Sequence, residues 1–465
     1  MPEVRLPLWL FFLLAFLAAV ALVERLLVPG LRVVLRRRVR ALVEELNARL
    51  ALRLHPLKLA KKRAVEHMLT HDPEVLSAAE RYRQEHGLSW PEVEDILASY
   101  AREIVPTFNV YLYYRWGYAL ARRFLRAIYR VRVAFADKNA FAAVNPEDSV
   151  VFLANHRSNV DYLLVAYLVS RHAAVSYAVG EWAKVWPLDT LIRRLGGYFV
   201  RRNTADPLYR KVLERYVQLA ADAGITQGVF PEGRLTRDGA LQPPKLGLLS
   251  YLLRRFDPQG PRDLVFIPVG INYDRVFEDR THVQAREPSL GRGAQEVASW
   301  LVRLFWRWLT GRAHRFGYAA VNFGVPVSAR ALLAQTGELR TLSPEAFRDA
   351  VAAIGNTLWK AVAAVVPATP LPVFTQAGLE LEEGGRASHA ALRRRFGELA
   401  QAYASAGLLV PELEPGELYR FALRLALGRS LVHLEGDELV FTEDGKPLLA
   451  FYANSIRHHR IGSGA

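Results

Sequence analysis

The chain has 465 residues, 51% hydrophobic and 23% charged, a globular composition with length for two or three domains. It contains no cysteine, which excludes disulfides, thiolate metal sites and a cysteine nucleophile. The net charge of +15 calls for an acidic partner, and the arginines interleave with Leu, Trp and Tyr as at a membrane surface, not as in a nucleic-acid arm.

Residues 6–23 form an uncharged run, close to the shortest that spans a bilayer core of roughly 30 Å. Arg25, Arg32, Arg36, Arg37, Arg38 and Arg40 follow it, which predicts an uncleaved anchor with the rest of the chain on the cytoplasmic side of the inner membrane. A cleaved signal peptide and a hairpin in one leaflet, turning at Pro29-Gly30, are the competing readings. Residues 31–130 read as helices, with a capping signal at Ser89-Trp90-Pro91-Glu92. Residues 111–130 and 300–309 combine aromatics with arginine, fitting interfacial helices or core helices whose arginines reach outward.

From about residue 148 short β-rich runs alternate with helical ones. Strands are predicted at 149–153, 174–178, 197–200, 226–230, 264–269 and 318–323, with helices such as 207–223 and 243–256 between them. This alternation predicts an α/β domain with a mixed sheet flanked by helices. Beyond about 343 the chain turns helical again, and the spacing of Pro367, Pro370 and Pro372 predicts a linker. Two helices and a hairpin turning at Gly436-Asp437 then suggest a small winged-helix-like module. The expected division is 1–30 anchor, 31–130 helical region, 131–342 catalytic α/β domain and 343–465 C-terminal helical module.

Between the first two strands stands Asn155-His156-Arg157-Ser158-Asn159-Val160-Asp161. An ordinary strand-to-helix turn accounts for it, with Asn155 or Ser158 as cap and Asp161 in the first helical turn. A catalytic base with its orienting carboxylate accounts for it equally. Four further elements follow in order: Gly197-Tyr198-Phe199-Val200-Arg201-Arg202; Phe230-Pro231-Glu232-Gly233 with Arg237 and Pro243-Pro244-Lys245-x-Gly247 after it; Phe266-Ile267-Pro268-Val269; and Val321-Asn322-Phe323-Gly324-x-Pro326.

Together these elements resemble the signature blocks of the glycerolipid acyltransferase family, in its membrane-bound glycerol-3-phosphate acyltransferase branch. The likeness covers roughly residues 130–330 and extends weakly to Phe451-Tyr452-Ala453-Asn454-Ser455-Ile456-Arg457-His458. It departs in one place: where that branch has E-G-G-R-S-R, this chain has Glu232-Gly233-Arg234-Leu235-Thr236-Arg237, with leucine in place of the first arginine.

The resemblance implies transfer of a fatty acyl group from acyl-CoA or acyl carrier protein to glycerol 3-phosphate, without metal or cofactor. His156 is then the general base and Asp161 its orienting partner, a pairing suited to activating an alcohol near neutral pH. Arg237 is the first choice for the phosphate, followed by Arg202, Arg201 and Lys245, with Arg234 as a substitute for the missing guanidinium. Glu232 and Gly233 organise the turn or bind a glycerol hydroxyl, and Arg157 and Ser158 orient substrate or cap the helix. An anionic phospholipid membrane is the expected surface, and nucleic acid is not an expected partner. The runner-up acceptor is 1-acylglycerol 3-phosphate. A basic adaptor without catalysis is the alternative outside the enzymes. No G-x-S-x-G, H-E-x-x-H or glycine-rich nucleotide loop occurs.

Overall fold

The computed structural model describes residues 62–110, 112–169, 175–180, 188–201, 204–283, 316–334 and 339–461. The apolar run 6–23 and the tryptophan-rich stretch 300–309 lie outside them. Among the described residues no helix is long and apolar enough to cross a membrane.

Among the described residues three helices come first: Lys62–Thr70, Pro73–His86 and Trp90–Ile104. The last starts where the sequence signals it, the Glu92 carboxylate accepting the Ser89 N–H at 2.8 Å. After a short π-helical turn, Leu112–Gly117, the helix Tyr118–Ile128 leads into strand β1, Arg130–Phe135. The remaining strands of the main sheet are β2 Ser149–Ala154, β3 Ser176–Gly180, β4 Gly197–Val200, β5 Gln227–Val229, β6 Leu264–Tyr273, β7 Tyr318–Phe323 and β8 Val327–Ser328. They lie in the order β1-β7-β6-β2-β5-β3-β4, with β8 also paired to β6. Every pairing is parallel except those of β6 with β7 and β8. The fold is thus mixed α/β, with a parallel-rich sheet flanked by helices.

Both faces of the sheet are covered, and β2 shows how. Val150, Phe152 and Ala154 enter one apolar cluster, while Val151 and Leu153 enter the other. Strands buried on both sides read as unbroken apolar runs, which is why Ser149-Val-Val-Phe-Leu-Ala lacks polar alternation. β1 was absent from the strands predicted by sequence. Its Arg-Val-Arg-Val start lies on the sheet edge, half exposed, where arginines are tolerated and the apolar signal is weak.

Pro268 sits inside the fully buried β6, a place where a missing N–H is normally costly. The register removes the cost. On that side of β6, pairing with β7 begins at Val269 and pairing with β8 ends at Phe266, so Pro268 falls where one partner hands over to the next. Its carbonyl still accepts the Gly324 N–H at 2.8 Å.

The proline-spaced stretch is not a linker. Thr369 caps a buried helix, Pro370–Leu381, with proline in the first turn, where its missing N–H has no intrahelical partner to lose. The Leu371 N–H is taken instead by Asp274 Oδ1 at 2.9 Å. Helices His389–Ser405 and Pro415–Gly428 follow, with a small antiparallel sheet of β9 Arg386–Ser388, β10 Val432–Glu435 and β11 Glu438–Phe441. The last helix is Lys446–Arg457.

The long helix Pro344–Ala364 packs its C-terminal end against β6 so closely that a Cβ on Gly270 would run into the Val365 carbonyl. Gly270→Ala is therefore expected to lower stability by about 1–3 kcal/mol, read as a reduced urea midpoint. An unchanged midpoint would mean that the helix end shifts without cost.

Candidate active site

The loop between β2 and the helix Asp161–Val169 folds back upon one carboxylate. Asp161 Oδ2 accepts from His156 Nδ1 at 3.0 Å, from the Arg157 N–H at 2.6 Å and from the Ser158 N–H at 2.9 Å. Its Oδ1 accepts from the Tyr273 hydroxyl at 2.6 Å. Asp161 is fully buried, and these four donors replace the water that burial removes. Burial and the neighbouring Asp161 push the Tyr273 phenol well above its usual pKa, so it stays a neutral donor.

A carboxylate accepting at Nδ1 fixes the proton there and leaves Nε2 with its lone pair. That nitrogen is buried and has no hydrogen-bond partner among the described residues. It lies in an aromatic setting, the His156 ring centroid 4.5 Å from that of Phe230 and 5.1 Å from that of Tyr162. A buried polar atom without a partner is costly, and a general base waiting for a substrate proton is one of the few reasons to keep it.

Asn155, Glu232 and Thr236 hold the main chain that carries the imidazole. The Asn155 side chain pairs with Ile271 as a backbone would, accepting its N–H at 2.7 Å and donating to its carbonyl at 2.9 Å. This aligns the end of β2 with β6 and brings Tyr273, two residues on, to Asp161. Glu232, on the turn after β5, accepts the His156 N–H at 2.8 Å and the Gln242 N–H at 3.1 Å. The Thr236 N–H reaches back to the His156 carbonyl at 3.4 Å, which puts the loop carrying Arg234 and Arg237 beside the histidine.

The structure separates the predicted site residues into groups. His156, Asp161 and Glu232 come together in the interior, while Arg234, Arg237 and Lys245 are exposed on the adjoining loops. Gly233 adopts the left-handed φ of 68° that turns the chain, and a Cβ there would press on the Lys245 side chain. Arg201 lies elsewhere, gripped by Glu103 through Nε–Oε1 at 3.0 Å and Nη2–Oε2 at 2.7 Å and stacked on Tyr100 and Tyr209. Arg202 lies outside the described residues. Arg157 is buried, and its guanidinium donates to the carbonyls of Gly239 and Ser455, the latter at 2.9 Å. Ser158 donates to Glu278 at 2.7 Å and accepts the Val160 N–H at 3.1 Å. Arg157 and Ser158 are thus engaged in building the loop. Their neighbours in sequence suggested substrate, but their partners lie 298 and 120 residues away.

Sequence reasoning missed Tyr273, and it missed how the helix Lys446–Arg457 secures the site. Asn454 donates to the Asp238 carbonyl at 3.0 Å, Ser455 Oγ accepts from Asn272 at 3.1 Å, and a Cβ on Gly239 would strike the Phe451 carbonyl. The weak likeness of residues 451–458 to the family was the one signal available. Among the described residues no group of histidines and carboxylates is arranged to hold a metal ion.

Residues 132–272 match the model of the acyltransferase family. Residues 294–463 match the model of the glycerol-3-phosphate acyltransferase C-terminal region. Two curated relatives are named glycerol-3-phosphate acyltransferase. That of Pseudomonas entomophila is 28% identical over 84% of this chain and 48% of its own length. That of Pseudomonas putida is 26% identical over 86% of this chain and 49% of its own. The chain therefore spans about half the length of these relatives. A 1-acyl-sn-glycerophosphate acyltransferase from Thermotoga maritima, solved by crystallography, is 16% identical over 52% of this chain and 77% of its own. Its TM-score of 0.31 is too low to establish a shared fold.

Burial raises the Glu232 carboxyl to about 7, against the opposing pull of Arg157 and its two backbone donors. Between about 4.5 and 7 the folded state then holds a proton that the unfolded chain has released. Stability must fall as pH rises through that window. Glu232→Gln removes this slope, so the variant should gain up to about 3 kcal/mol relative to the parent between pH 4.5 and 8. Urea unfolding across that range checks it, and parallel pH profiles would refute it.

Proposed function

We propose that this chain transfers a fatty acyl group from an acyl thioester, acyl-CoA or acyl carrier protein, to glycerol 3-phosphate, giving lysophosphatidic acid. The observation that carries the reading is the buried, unpartnered Nε2 of a histidine whose Nδ1 is fixed by Asp161, with a basic loop hooked onto the same residue. The relatives' names support the choice of reaction.

His156 Nε2 takes the proton of the acceptor hydroxyl as its oxygen attacks the thioester carbonyl. The carbon–sulfur bond then breaks, and the imidazolium returns the proton to the departing thiolate. Asp161 stabilises the imidazolium through Nδ1–H, while Tyr273 holds the carboxylate in place. Arg237, with Arg234 and Lys245, grips the phosphate by charge-assisted hydrogen bonds. Glu232 acts through the backbone, fixing the main chain of His156 to the turn that carries those cations.

The protein works at the cytoplasmic face of the inner membrane, anchored through residues 6–23, with the aromatic–arginine stretches against anionic lipid. The helices His389–Ser405 and Pro415–Gly428 with the β10–β11 hairpin are read as a small winged-helix-like module, and it is the following helix, Lys446–Arg457, that braces the site.

Assay of the purified, detergent-solubilised protein with both acceptors and both donors tests the reading. Turnover with glycerol 3-phosphate is expected, and a clear preference for lysophosphatidic acid would reassign the acceptor. A hydrogen bond to a charged group contributes roughly 1.5–3 kcal/mol. Arg237→Ala should therefore raise the acceptor KM at least about tenfold, at 1.4 kcal/mol per decade, and leave the donor KM nearly unchanged. Equal changes in both constants would show that Arg237 supports the loop instead of the phosphate.

A further inference from the structure

The helix Tyr118–Ile128 buries Ala121, Leu125 and Ile128 on one side and exposes Leu120, Arg122, Arg123 and Arg126 on the other. The chain then enters the edge strand β1, where Arg130 and Arg132 are also exposed. From residue 118 to 135 the sequence contains five arginines and no aspartate or glutamate. Elsewhere arginines find acids, as Arg201 finds Glu103 and Arg215 finds Asp72, but among the described residues none of these five has an ion-pair partner. Arg130 and Arg132 lie instead over the Tyr318 ring, at 5.7 and 6.0 Å from its centroid. Between helix and strand runs an open groove of about 580 Å³, lined by Arg126, Arg130, Arg132, Val131, Tyr167 and Tyr318.

We propose that this groove receives the headgroup phosphates of anionic phospholipids, so that the helix Tyr118–Ile128 and the β1 edge form the face docked on a bilayer. Guanidinium groups supply planar donors for phosphate, and the absence of any acid from residues 118–135 leaves the helix and the edge strand cationic; the acid that acts on Arg130, Asp274, is fully buried. Two observations favour a bilayer over an acidic protein. Leu120 is 67% exposed and Val133 40% exposed, apolar groups that an interface would take up beside the charges. Tyrosine rings line the same groove, the residue type that settles at headgroup depth. Tyr118 stacks on Tyr167 at 5.5 Å, which ties the docked helix to the helix that begins at Asp161. An amphiphilic product released there would have lipid close by. The inference rests on the membrane setting proposed above but not on the acyl-transfer chemistry.

Flotation of the full-length protein with phosphatidylcholine vesicles, with and without phosphatidylglycerol, tests it. The wild type should prefer the anionic vesicles, a preference that falls with salt. Each basic residue near an anionic surface contributes about fivefold in partition, so R126Q/R130Q/R132Q should lose about a hundredfold on anionic vesicles. Its thermal midpoint and its binding to neutral vesicles should stay as in the wild type. A variant that keeps the full preference would overturn the groove while leaving the membrane setting intact. A wild type that floats equally with both vesicles would also overturn the groove, and one that floats with neither would overturn the membrane setting as well. A variant that floats normally but no longer binds purified acyl carrier protein would give the groove to a protein partner and overturn the lipid assignment.

Discussion

One buried carboxylate organises the centre of this molecule. Asp161 has no access to water, and an ionised carboxylate in such a place is tolerable only if protein donors replace its hydration. Four do so: an imidazole, a phenol and two backbone N–H groups. Satisfying them forces residues 156–160 into a tight loop around the carboxylate. It also demands that β6 deliver Tyr273 from the far side of that loop. The orientation of His156 is thus a by-product of solvating Asp161, and the two properties cannot be varied independently.

The same loop is held from a second direction by the C-terminal helix. The buried Arg157 guanidinium finds its acceptors on Gly239 and Ser455. Asn454 secures the neighbouring Asp238 carbonyl. Lower down the helix, Tyr452 donates to Asp279 at 2.5 Å and receives the Val276 N–H at 3.0 Å. Arg429 completes that buried group by pairing with Asp279. Residues beyond 343 therefore help to hold the loops on either side of His156. A substrate-binding loop needs such support, because errors of an ångström in placement cost rate.

What could be read from the sequence was what local chemistry encodes. Strands β4 and β7 carry their bounds in short apolar runs between turn residues, and the five-residue spacing of His156 and Asp161 suffices for their contact. What could not be read depends on partners far along the chain. Tyr273 lies 112 residues from Asp161, and Ile271 lies 116 from Asn155. Arg157 looked like a substrate ligand because its acceptors are backbone carbonyls, which leave no mark in composition. Arg201 looked available because Glu103 stands almost a hundred residues upstream. The proline-spaced stretch misled for a related reason: three prolines suggest a linker until it is known that Asp274 takes the Leu371 N–H and that the core covers Pro370.

The account stands or falls on Nε2 of His156. His156→Gln removes the base and with it one of the four donors to Asp161, while leaving in place the backbone N–H that binds Glu232 and the other three donors. The decisive measurement is kcat for acyl transfer to glycerol 3-phosphate by this variant, alongside its thermal midpoint. The account predicts a fall in kcat of roughly 10²–10⁴ in a protein that still folds, its midpoint lowered by no more than the loss of one buried hydrogen bond, about 1–3 kcal/mol. Turnover within a few fold of the parent enzyme, in a protein equally well folded, would contradict it.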